Sequence, residues 1–102
     1  MFTNSINGLD EVIHGRLRLG IMVYLADAEV AEFSELKLAL DATQGNLSVH
    51  LRKLEDAGYV KIEKSFFERK SLTRARLTSA GRKAFAQYLS AMSKLVADAS
   101  KT

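Results

Sequence analysis

The sequence contains no cysteine and no proline. Without cysteine there is no disulfide, no thiolate metal site and no cysteine nucleophile. The absence is compatible with a reducing, cytoplasmic setting. Without proline nothing interrupts a helix from within, and a helix-rich chain is expected. Long apolar runs are missing too. The longest, Leu19–Ala26, is eight residues, too short to cross a bilayer, and Met1–Leu9 carries no basic-then-apolar export signal. No membrane partner is expected. The six glycines form no Gly-x-Gly cluster and no phosphate loop, and there is no Gly-x-Ser-x-Gly elbow. His14 and His50 stand in separate predicted helices without an obvious carboxylate partner. No enzymatic activity, metal or cofactor is therefore expected.

What is present describes one small domain. A chain of 102 residues, 47% hydrophobic and 26% charged, closes around a single core spanning residues 1–102 and has no room for a separate cofactor domain. The net charge of +3 is unevenly spread. Met1–Asp41 carries three basic and seven acidic residues, and Ala42–Thr102 twelve basic and five acidic. A basic half on a small domain points to a polyanionic partner, with a lysine-rich solvated surface as the plain alternative.

Periodicity gives the element order. Leu9, Val12, Ile13, Leu17, Ile21, Tyr24 and Leu25 keep a three-and-four spacing that predicts a helix over residues 9–28. Leu19, Met22 and Val23 fall off that stripe, as if the helix met a second surface. A short helix over 33–41 is followed by one over 43–57, with Thr43 able to cap its first turn and Gly58 suited to its C-terminal reversal. Two short helices joined by a tight turn make a helix-turn-helix pattern. Tyr59–Lys64 and Thr73–Thr78 alternate with period two and predict a hairpin over 59–78, its polar and basic middle, Ser65–Leu72, forming a long tip. A long helix over 79–99 follows, with Phe85, Tyr88, Leu89, Met92, Leu95 and Val96 on one stripe. His14 reads as helix filler, and His50 as a packed, hydrogen-bonded side chain.

At roughly 100° per residue, Leu47, Leu51 and Leu54 define the buried side of the third helix. Gly45, Val49 and Arg52 lie opposite, flanked by Asn46 and Lys53, and Gln44 and Ser48 add hydrogen-bonding groups in the first turns. Amides suit adenine edges, arginine suits guanine and an apolar tip suits the thymine methyl. Arg69 and Lys70 at the hairpin tip fit phosphate or a minor groove, and Arg74 and Arg76 share a strand face that would extend the basic track.

These residues carry a resemblance. Thr43–Val60 resembles the recognition-helix signature of winged-helix transcription regulators of the ArsR and MarR type. Leu77-Thr78-Ser79-Ala80-Gly81-Arg82 is similar to the LT-x-x-G-(K/R) segment after the wing in the MarR-like group. The tip Phe66–Thr73 most resembles a small subgroup of stand-alone regulators of bacteria and archaea. The resemblance spans about Leu9–Leu95. It implies a mainly α (α+β) winged helix-turn-helix fold in the order α-α-α-β-β-α, and a homodimeric regulator of double-stranded DNA in the cytoplasm. Thr43, Gln44, Gly45, Asn46, Ser48, Val49, Arg52, Lys53, Arg69, Lys70, Arg74 and Arg76 would contact DNA. By the apolar pattern, Leu19, Met22, Val23, Phe85, Tyr88, Leu89, Met92, Leu95 and Val96 would form the dimer, the alternative being that the last helix packs on the first helix of its own chain. Without cysteine, the metal-sensing sites of ArsR members are not expected, and no effector is assigned. A winged-helix module for protein docking and a non-specific DNA-binding protein remain as alternatives.

Overall fold

A computed structural model describes residues 6–101; Met1–Ser5 and Thr102 of the expected domain lie outside the described residues. The helix expected from Leu9 spans Arg16–Ala28, labelled α1, and does not begin at Leu9. The Asp10 carboxylate accepts the backbone N–H of Val12 at 2.8 Å and of Ile13 at 3.3 Å. The N–H of His14 donates to the Asp10 carbonyl at 2.8 Å. This side-chain-closed turn competes with helix, and Gly15 then runs extended into α1. Ile13 is carried on the turn and is fully buried all the same.

A strand unmarked by any alternating run follows: β1, Val30–Glu32. It pairs antiparallel with β3, Ala31 lying opposite Ala75. Helix α2, Phe33–Ala39, starts where the Glu35 carboxylate accepts the Glu32 N–H at 3.3 Å. Helix α3, Gln44–Asp56, starts on Thr43, whose hydroxyl accepts the N–H of Asn46 at 3.2 Å. It ends in a Schellman-type reversal: Gly58 takes φ +83°, and the N–H of Tyr59 donates to the Leu54 carbonyl at 3.0 Å.

Strands β2, Val60–Phe67, and β3, Lys70–Leu77, pair in continuous register from Val60–Leu77 to Phe67–Lys70. The sheet order is β1-β3-β2. The long polar tip expected between the strands is therefore ordered ladder, and only Glu68 and Arg69 make the turn. Both take positive φ, 50° and 68°, as a two-residue hairpin turn with the right twist requires. Neither is the asparagine or glycine that would have announced it.

Helix α4, Ser79–Ser100, is capped by Thr78, which accepts the Gly81 N–H at 2.9 Å and donates to the Gly58 carbonyl at 2.6 Å. A Cβ on Gly81 would stand 2.1 Å from the Tyr59 carbonyl oxygen. The threonine and glycine of the Leu77–Arg82 segment thus fasten α4 against the reversal that ends α3.

The core gathers Ile21, Met22 and Leu25 of α1, Leu36 of α2, Leu47, Leu51 and Leu54 of α3, the sheet's inner face, and Phe85 and Tyr88 of α4. This corrects part of the expected dimer surface. Met22, Phe85 and Tyr88 fill the chain's own core and have no face left for a second copy. Leu19 and Met92 are half-buried against that core, and Leu95 is half-buried; Val23, Leu89 and Val96 are exposed. A heptad stripe specifies burial but not whose surface does the burying.

Candidate nucleic-acid interface

Gln44, Gly45, Asn46, Ser48, Val49, Arg52 and Lys53 of α3 are all exposed, as is their cap, Thr43. No acidic residue stands in the first turn, so the positive end of the helix dipole is unopposed there. Gly45 faces open space: a Cβ built on it meets nothing within 4 Å.

The hairpin lies beside this face. Gln44, Ser48, Arg52 and Glu55 of α3 and Ile62, Lys64 and Thr73 of the hairpin line one open cleft of about 550 Å³. The Glu55 carboxylate accepts the Ile62 N–H at 3.1 Å and holds helix and strand in this relation. Lys64 was not foreseen as a site residue. Its signal was in the alternation, because Val60 and Ile62 mark the inner face and Lys64 is the next residue on it.

The same rule corrects Arg74 and Arg76. They share a face with each other, but Ala75 and Leu77 between and beside them are buried, so both arginines are on the outer side of the sheet, away from α3. There Arg74 stands across from Glu32 on one side and Glu63 on the other. Arg76 Nε donates to Glu63 Oε1 at 3.2 Å, and the pair is open to solvent. Their charge is locally matched and does not continue the track from α3. Arg69 and Lys70 are exposed at the tip, beside Phe66 and Phe67, which are exposed as well.

Four contacts brace this face from behind. His50 is half-buried, and its Nδ1 lies 2.8 Å from Arg18 Nη1, so a ring nitrogen accepts from a guanidinium that can only donate. Burial, then Arg18, then Lys53 hold this histidine below its ordinary 6.5. Arg18 also donates through Nε to the Val12 carbonyl at 2.5 Å. Tyr59 donates to the Asp10 carboxylate at 2.5 Å, and that bond, with burial and the negative charge, pushes its phenol up to about 12. His14 is not helix filler: it sits in the Asp10 turn with Nδ1 2.7 Å from the Tyr88 hydroxyl, tying the turn to α4. Burial raises the Tyr88 phenol.

Among the described residues, no group of histidine, aspartate and glutamate side chains is arranged to hold a metal ion, and no helix is long and apolar enough to cross a membrane.

The winged helix DNA-binding domain family matches residues 17–96. The chain belongs to this family. Its α2 and α3 form the helix-turn-helix, and β2 and β3 form the wing. The winged-helix domain is similar to an uncharacterized protein of Methanocaldococcus jannaschii, 37% identical over 79 residues covering 78% of this chain and 86% of that one. Among solved structures it is similar to a transcriptional regulator homologue from Pyrococcus horikoshii OT3, with a TM-score of 0.82 and 32% identity over 87% of this chain and 88% of that one. It also shares its fold with AbfR, solved in an overoxidized form bound to DNA. That match has a TM-score of 0.67 and 22% identity over 76% of this chain and 56% of that one.

Proposed function

We propose that this winged-helix domain is a sequence-specific transcription regulator that works as a homodimer in the cytoplasm. It sets α3 in the major groove of duplex DNA and the wing on the adjacent minor groove or its phosphates. One observation carries the reading. Gln44, Ser48 and Arg52 of α3 and Lys64 and Thr73 of the wing line a single cleft, so a polar helix face and a cationic strand face are offered to one ligand.

Residue roles follow from groove chemistry. Gln44 and Asn46 pair with adenine edges, Arg52 with guanine, and Val49 meets a thymine methyl. Gly45 lets the helix approach the sugar–phosphate chain, and Thr43, Ser48 and Lys53 hold phosphates. Arg69, Lys70 and Lys64 serve the minor groove and its borders. The dimer is supported by the apolar side chains that α4 and α1 leave uncovered: Leu89, Val96 and Val23, next to half-buried Met92 and Leu95. A two-fold dimer would set its two α3 helices roughly 34 Å apart and read an inverted repeat.

Duplex binding across a salt series tests the proposal. The Arg69→Ala/Lys70→Ala variant is expected to lose affinity for all sequences alike, with a log–log salt slope shallower by about 2. Gln44→Ala or Asn46→Ala should instead narrow the preference for a selected site by about tenfold. Undiminished binding by the wing variant would leave the protein-docking alternative. An unchanged preference in the helix variants would leave non-specific binding.

A further inference from the structure

The outer half of the wing exposes more apolar surface than a hairpin in water needs. Every residue from Ser65 to Ser71 is exposed, and in that stretch Phe66 is 79% and Phe67 67% accessible. Both stand on β2, which is an edge of the sheet. Exposed phenyl rings on an edge strand invite aggregation unless something covers them.

Charge and register say what does. Around the two rings stand Lys64, Arg69 and Lys70 against a single acid, Glu68. Phe66 pairs with Ser71 and Lys64 with Thr73, so these four residues share one face of the hairpin. Lys64 and Thr73 turn that face toward Gln44, Ser48 and Arg52. Phe66 therefore continues the proposed DNA-facing surface about 7 Å beyond Lys64. Phe67, opposite Lys70, occupies the other face. The tip beyond is a two-residue turn with Glu68 and Arg69 both at positive φ, which keeps the end of the hairpin narrow.

We infer that Phe66 is a minor-groove wedge. With α3 in the major groove, its ring enters the neighbouring minor groove and leans between bases at a deformable pyrimidine–purine step, while Lys64 and Arg69 hold the flanking phosphates. Apolar side chains used this way partly unstack a step and bend the duplex. The gain is selectivity at a position where no hydrogen bond is made, since the deformation is easiest at TA and CA steps. The inference rests on the DNA-binding reading above and goes beyond it by giving the wing a sequence preference of its own.

The test uses the full chain and a short duplex selected on it from a random pool, with 2-aminopurine placed in turn at each pyrimidine–purine step. Binding of the parent should brighten the probe at one such step beside the α3 site. Phe66→Ala should lose that signal and bind about tenfold more weakly with an unchanged salt slope. Phe67→Ala should keep the signal. Arg69→Ala should keep it too, while its salt slope falls by about 1. Parent binding without brightening, or a Phe66→Ala variant that binds and brightens like the parent, overturns the wedge and leaves the DNA-binding reading standing. A Phe66→Ala variant that shifts the monomer–dimer balance in sedimentation and leaves duplex affinity alone overturns it as well, by assigning the ring to a second copy. Failure of the parent to bind any duplex removes both readings together.

Discussion

Helices α3 and α4 begin alike and serve different ends. Each starts on a threonine whose hydroxyl accepts the N–H three residues ahead, Asn46 at 3.2 Å and Gly81 at 2.9 Å. Each has a glycine in its first turn. Yet a Cβ on Gly45 would meet nothing within 4 Å, and one on Gly81 would stand 2.1 Å from the Tyr59 carbonyl oxygen. The start of α3 is open, whereas that of α4 is pressed against the chain reversal after α3. Farther along, α3 turns Asn46, Arg52 and Lys53 outward, and α4 turns Leu89 and Val96 outward. Local capping chemistry is thus common to both. What separates a helix proposed to grip a polyanion from one proposed to meet its own copy is the surface left uncovered.

The two glycines give the largest test of this contrast. Gly81→Ala has no flexible side chain to push aside, because its neighbour is backbone, and the helix start must shift. A loss of about 3 kcal/mol is expected, read as a fall in Tm of more than about 10 °C. Gly45→Ala should leave Tm unchanged or slightly raised, since alanine is the better helix former. It should nevertheless weaken duplex binding, as in the proposed complex the added methyl would stand between α3 and the phosphates. Equal thermal losses in the two variants would erase the difference between an open and a closed helix start.

The outward faces come next. Replacing Leu89 and Val96 of α4 together by serine removes two apolar contacts from each subunit of the proposed dimer. Its dissociation constant should rise at least about 100-fold, with helix content retained, in sedimentation equilibrium and circular dichroism. Val49→Ser on the outward face of α3 should leave assembly untouched. Were Val49→Ser to dissociate the dimer and the α4 variant not, the assignments of the two faces would have to be exchanged.

Much of this contrast was legible in the residues. Thr43 as a cap, Gly58 as a left-handed terminus and the Leu47–Leu51–Leu54 side of α3 all follow from local rules, and the structure has each of them. The start of α1 was hidden because the apolar spacing continues back to Leu9 while Asp10 closes a turn of its own. Strand β1 is three residues long, too short to show a period. The wing turn was hidden because Glu68 and Arg69 are not residues that favour positive φ. Lys64 and the outward aim of Arg74 and Arg76 were within reach: buried Val60 and half-buried Ile62, and buried Ala75 and Leu77, fix the two faces once the pleat is followed strictly. The fate of Met22, Phe85 and Tyr88 was not, since an apolar stripe on a helix looks the same whether its own chain or another covers it.

The smallest expected effect concerns how α3 is held. His50 Nδ1 accepts from Arg18 at 2.8 Å, a contact that requires the neutral ring. Burial first, then Arg18 and Lys53, depress its proton affinity below the 6.5 of a free histidine; Glu11 and Asp56 line the same small cleft as Arg18 and Lys53. The unfolded chain therefore binds the proton more readily than the folded one. Stability from this contact is complete above 6.5 and is lost as pH falls through the lower folded value. Urea titrations of the parent should show that loss on acidification, smaller than either effect above. His50→Gln retains an acceptor without a titrating ring, and its stability should be flatter over the same range. Parallel curves for parent and variant would mean that Arg18 is held mainly by the Val12 carbonyl, and that α3 keeps its position through Leu47, Leu51 and Leu54 alone.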